Sequence, residues 1–285
     1  MRHPVYLILF AGIILTSTAC SDRREASVTR AIESVNAIDQ QNMAELMLTA
    51  ADPEEAVAYF SARTERDPPE LRDMRGLARS LVRAGRVTDA LPVWRTVSTH
   101  PEAKFDDQVM LADAYIRAND WASAERTLNA IPPTHETFDR YRLEAMIADS
   151  KSDWVRADHF YETATGLTTR PSGVLNNWGF SKLTRGNFRE AERLFMQALQ
   201  HDPTLFTAKN NLALARAGQG NYSLPMVRMT QQERAMLLYT LAIAAIRKGD
   251  VTIGRTLLEE AIDTHPQHYD DAVRALRALE RGNAA

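Results

Sequence analysis

From Leu175 to Pro203 the chain reads LNNWGFSKLTRGNFREAERLFMQALQHDP, and its apolar and small residues fall on two stripes at helical spacing. Leu175, Trp178, Gly179 and Leu183 make the first stripe, and Phe188, Ala191, Phe195 and Ala198 make the second. Gly186-Asn187 interrupts the pattern between them and Pro203 ends it. The stretch therefore predicts two short amphipathic helices joined by a tight turn. Small residues at 179, 191 and 198 let the two backbones approach, while Trp178, Phe188 and Phe195 fill the space around them.

The same arrangement returns along the chain. With Ser172 as the start of this unit, others start at Ala37, Leu71, Phe105, Phe138, Phe206 and Ala235, at successive steps of 34, 34, 33, 34, 34 and 29 residues. The layout and period resemble a tetratricopeptide repeat, a helix-turn-helix unit of 34 residues. That resemblance implies an all-α solenoid of about six to seven helix pairs over residues 30–285, its first helices lining a groove. Several irregularities fit such an array. Residues 28–48 are helical in pattern but polar, as a terminal repeat is, and Asp52-Pro53 opens a clearer helix holding Ala56, Phe60 and Ala62. Pro132-Pro133 forces a stop, and Pro225 falls where a second helix is due. Residues 223–230 are accordingly expected to leave the helical path. A helix from Gln231 to Lys248 then resumes it, capped by Thr230 with Glu233 in its first turn. Residues 269–279 read as a final amphipathic helix covering the last exposed face.

In a repeat array each unit buries its apolar face only against its neighbours, so 285 residues add repeats and need no second central core. A net charge of -3 gives no reason to expect nucleic acid or an anionic membrane surface as a partner. The first residues are a different material. Arg2 gives a positive start, Val5 to Leu15 is an apolar run too short to span a bilayer, and small polar residues lead to Cys20, the sole cysteine. Residues 1–19 read as a secretory signal and 20–29 as a short tether. A lone cysteine at that place resembles the lipid-attachment site of bacterial lipoproteins, which implies lipidation of Cys20. Ser21 in the next position implies sorting to the outer membrane. An exported soluble protein with an incidental cysteine is the bland alternative.

No catalytic constellation emerges. His135-Glu136 begins like a zinc-protease helix, but Asp139 stands where the second histidine is needed. Nucleophile-elbow, phosphate-loop and dinucleotide glycine patterns are missing, so neither an enzyme, a metal nor a cofactor is expected. His201, His265 and His268 fall at helix ends beside prolines and read as cations near helix C-termini. Trp94, Trp121, Trp154 and Trp178 occupy repeat-packing places and are expected in the core. The stronger candidates are polar residues of the first helices: Asn177 and Asn211 hold the same place one unit apart, preceded by Asn176 and Asn210. In the repeat family this resembles, an asparagine there can hydrogen-bond the backbone of an extended bound peptide; the bland reading is that these amides stabilise their own helices.

A narrower resemblance covers the second half of the chain and its signal. NNWGFSKLTRGNFREAERLF, KNNLALARAGQGNY, ERAMLLYTLAIAAIRKGD and the tail LLEEAIDTHPQHYDDAVRALRALE are similar to the tetratricopeptide lipoproteins of tight-adherence (Flp) pilus loci, the TadD type. The resemblance implies a non-enzymatic outer-membrane lipoprotein facing the periplasm, membrane-bound through its N-terminal lipid only. Its implied role is to help the pilus secretin, or another pilus-assembly envelope protein, to assemble, localise or stay stable. An envelope scaffold for cell-wall synthesis or outer-membrane protein assembly would use the same groove.

Overall fold

The computed structural model describes residues 42–282, and among them every regular element is an α-helix. The expected signal, tether, Cys20 and the Ala37 start all lie outside the described residues. The chain divides into two compact units, with the boundary between Ala103 and Lys104.

The first unit contains α1 (42–49), α2 (Pro53–Thr64), α3 (Leu71–Arg83) and α4 (Val87–Thr99). Asp52 caps α2 by accepting from the Glu54 N–H at 2.9 Å, and Pro53 takes the first helical position, where no donor is missed. Phe60 of α2 lies against Gly76 of α3, where an added Cβ would come within 2.3 Å of the ring. Trp94 is buried as expected, with 1% of its surface exposed. Arg63 of α2 donates to the buried carboxylate of Asp73 at 2.9 Å, which ties the pair of helices together.

The second unit contains α5 (Phe105–Arg117), α6 (Trp121–Asn129), α7 (Phe138–Ser150), α8 (Trp154–Gly166), α9 (Ser172–Thr184), α10 (Phe188–His201), α11 (Phe206–Gly218), α12 (Gln231–Arg247), α13 (Val251–Thr264) and α14 (Asp270–Gly282). The helices α5, α7, α9 and α11 begin at the residues that the repeat register assigns as unit starts. Within each pair the apolar stripes meet: Leu175 of α9 packs with Ala191, Leu194, Phe195 and Ala198 of α10, and this cluster continues into Ala208 and Leu212 of α11. At the turn after α9, Gly186 takes a left-handed conformation (φ 79°), and the next N–H, that of Asn187, returns to the Lys182 carbonyl at 2.9 Å. The same place is held by Asn119 (φ 62°) and Ser152 (φ 58°) in two earlier turns, and the same bond follows each.

After α11 the chain leaves the helical path until Gln231, as Pro225 requires. Thr230 and Glu233 form a reciprocal capping box that restarts it. Glu233 has a second role, because both of its oxygens accept from the Lys209 ammonium of α11, at 2.9 and 3.0 Å. Lys209 is 3% exposed and Glu233 partly buried, so this ion pair between neighbouring first helices keeps its cation out of solvent. The Tyr269 ring at the foot of α14 stacks on His265 at 4.7 Å, and Ala272 of α14 seals the cluster formed by α12 and α13. His135 bonds Asp106 at 2.9 Å, and its partners give it a structural place in the loop before α7.

Candidate functional site

The first helices of the second unit are joined in sequence by side-chain hydrogen bonds. Arg142 of α7 donates to Asp113 of α5 at 3.0 Å, and Ser181 of α9 donates to Asp149 of α7 at 2.7 Å. Asn211 of α11 donates to the Asn176 carbonyl of α9 at 3.1 Å, and Thr240 of α12 donates to the Asn210 carbonyl at 2.8 Å. These bonds hold helices α7, α9 and α11 side by side along a groove of about 580 Å³.

The lining follows from helical periodicity. Asn176, Asn177, Phe180, Ser181 and Thr184 recur on one face of α9, while Phe206, Thr207, Asn210 and Asn211 recur on one face of α11. All four predicted asparagines thus come together on the same groove, each half-buried. The Asn177 side chain makes no hydrogen bond to another of the described residues. Residues 223–230, which leave the helical path after α11, contribute nothing to its lining. Three of their apolar side chains turn inward, Val227 onto the α9–α11 core and Leu224 and Met229 between α11 and α12, while Met226 stands in solvent at 99% exposure.

Two tryptophans depart from the expected core assignment. Trp121 and Trp154 are half-buried and line the groove, because each opens a second helix and so stands at the edge of its own pair, beside the next unit. Trp154 also lies beneath the Arg185 guanidinium, 5.2 Å from the ring centroid. Trp178 packs between two core clusters, and its indole N–H donates to Asp158 at 2.7 Å. Residues that sequence periodicity did not single out complete the groove, chiefly Met146, Asp149 and Phe180, the last 51% exposed.

Charge at the site is sparse. Asp149 is the one carboxylate on the lining, and Lys, Arg and His do not occur there. Burial pushes its carboxyl up, against hydrogen bonds from Ser181 and Tyr161 that favour the anion. Behind the groove, Asp158 accepts from Trp178, Lys182 and Arg185. Desolvation pulls Asp158 upward, but hydrogen bonds from Arg185, Lys182 and Trp178 outweigh it, so its carboxyl is held below the ordinary value. Glu233 is likewise held low, since the Lys209 ammonium and the Thr230 N–H outweigh its burial.

A depressed carboxyl contributes stability above its unfolded value and loses it as the pH falls through the folded one. Melting temperature is therefore expected to fall as the medium is acidified below about pH 4. Asp149 acts with the opposite sign. In Asp158→Asn the fall should be shallower than in the parent, measured by thermal unfolding from pH 7 to pH 3; equal slopes would contradict the assignment.

Among the described residues, no group of three or more His, Cys, Asp or Glu is placed to hold a metal ion, and no helix is long and apolar enough to cross a membrane. Residues 177–224 match the family model of the tetratricopeptide repeat. No curated protein matches the sequence. Among solved structures, a chain of the APC/C hetero-tetramer Cut9-Hcn1 is similar with a TM-score of 0.60 at 12% identity, over 83% of this chain and 48% of that one. Human IFIT1, solved as a dimer with PPP-AAAA, is similar with a TM-score of 0.56 at 17% identity, over 80% of this chain and 59% of that one. A tetratricopeptide repeat protein from Parabacteroides merdae gives a TM-score of 0.54 at 12% identity, over 84% of this chain and 96% of that one. The chain thus spans about half the length of the first two. At these identities the likeness concerns architecture: the protein has an all-α fold of the tetratricopeptide-repeat type, with the repeat itself matched in a stretch that contains part of the groove's lining, on α9 and α11.

Proposed function

We propose that this protein is a non-enzymatic, lipid-anchored scaffold of the outer membrane that binds the secretin, or another envelope component, of the tight-adherence pilus machine. The observation that carries the binding role is the groove between α7, α9 and α11, where four half-buried asparagines and several aromatic rings lie together in a repeat fold built for protein contact. The pilus and membrane assignments rest on the sequence resemblance from Leu175 to Leu279 and on Cys20 following an apolar leader. A single acyl chain anchors only marginally, so stable attachment requires multiple acylation of that cysteine.

The test compares cells carrying the parent, Cys20→Ser and a deletion. The parent should sediment with the outer membrane and take up labelled fatty acid, and Cys20→Ser should leave that fraction. Secretin multimers should fall or mislocalise in the deletion strain. Unchanged secretin multimers would end the pilus assignment, and outer-membrane fractionation of Cys20→Ser without labelling of the parent would end the anchor.

A further inference from the structure

Resting on the groove's being a protein-binding site, we infer that its occupant is an extended, uncharged internal peptide segment anchored by one or two large apolar side chains, and not an acidic segment or a free chain terminus. The first argument is charge. A bound carboxylate needs a counter-charge or a cluster of donors in a partly desolvated site. The lining supplies no cation, the two guanidiniums that touch it, Arg142 at Met146 and Arg185 at Trp154, are paired with Asp113 and Asp158, and its one charge, Asp149, would repel a carboxylate. Nor is Asp149 an open receptor for a lysine or arginine: one oxygen accepts from Ser181 at 2.7 Å and the other from Tyr161 at 2.8 Å, and the Arg185 cation acts on it from behind.

The second argument is the hydrogen-bonding inventory. Asn176 and Asn210 each use the side-chain carbonyl internally, which leaves their NH₂ groups as donors, whereas Asn211 uses one of its two N–H groups and keeps its carbonyl. Asn177 keeps both. The α9 and α11 faces therefore offer both neutral donors and neutral acceptors, the two kinds of group that a peptide backbone presents in turn. The third argument is the apolar surface. Phe180 is half exposed in a groove that also contains Trp154 and Phe206, and such rings gain most from covering another large apolar side chain.

The test is an array of decapeptides, N-acetylated and C-amidated, probed with the purified parent, Phe180→Asp and Asn177→Ala; selected peptides are then remeasured in solution with a free C-terminus or with the anchor changed to Glu. Bound peptides should be enriched in Phe, Trp, Tyr, Leu or Met at one or two positions and poor in Asp, Glu, Lys and Arg. Each variant should weaken binding by about tenfold or more at an unchanged melting temperature, since both side chains are away from the core. Enrichment of charged residues, a requirement for a free carboxylate, equal binding by the variants, or no bound peptide at all would each overturn the inference. Loss of the secretin effect in cells with peptide binding intact would instead remove the pilus assignment alone.

Discussion

Replacing Glu233 by glutamine is expected to destabilise the second unit by about 3–5 kcal/mol, because it leaves the Lys209 ammonium buried without its counter-charge. Lys209 is 3% exposed and both Glu233 oxygens accept from it, so water can replace the lost partner only in part, from the side where the Glu233 side chain, 19% exposed, meets solvent. Glutamine keeps the shape and one acceptor for the Thr230 N–H, which preserves part of the capping box and isolates the charge. The melting temperature should fall by roughly 10 °C. Lys209→Met in the same chain should restore most of it, since it removes the buried charge that the glutamine leaves uncompensated. A Glu233→Gln protein that melts with the parent would show that Lys209 reaches solvent.

The second large effect is expected at Gly179. A Cβ there would meet Phe195 Cε1 at 2.6 Å and Cδ1 at 2.8 Å, closer than two carbons can sit. Gly179→Ala should therefore lower stability by about 1–3 kcal/mol, although alanine favours a helix over glycine by about 1 kcal/mol. The cost should shrink when Phe195 is first replaced by leucine, so the double-mutant cycle carries the argument. Additive losses, measured by urea denaturation of the four proteins, would place the strain elsewhere. Gly76 and Phe60 repeat the arrangement in the first unit at 2.3 Å.

Much of this architecture was legible because it depends on short-range rules. Helix starts at Leu71, Phe105, Phe138, Ser172 and Phe206 follow from a register of small, apolar and turn residues, and Thr230 with Glu233 signals its helix start locally. The shared groove of Asn177 and Asn211 was readable too, since equal places in successive units face the same side. What could not be read depends on the neighbour one repeat away. Trp121 and Trp154 have the spacing of core residues, and only the placement of the next helix pair shows that they border an opening. Lys209 and Glu233 look like two charges among many, because their pairing joins residues 24 positions apart. The inward turn of Leu224, Val227 and Met229 was hidden by Pro225, which announces a break in the helix but not the direction taken after it.

The left-handed turn position has a consequence for how such a chain can diverge. Glycine holds it at 186, but asparagine holds it at 119 and serine at 152, so even this place accepts more than one residue when the bond behind it closes. Beyond a few small residues where helices touch, the scaffold asks for little else in particular. Substitutions can accumulate over most of each repeat without altering the architecture, in keeping with solved structures that share the fold at 12 to 17% identity. The groove side chains then drift independently of the frame that carries them, and one lineage of repeats can acquire a new partner without first acquiring a new fold.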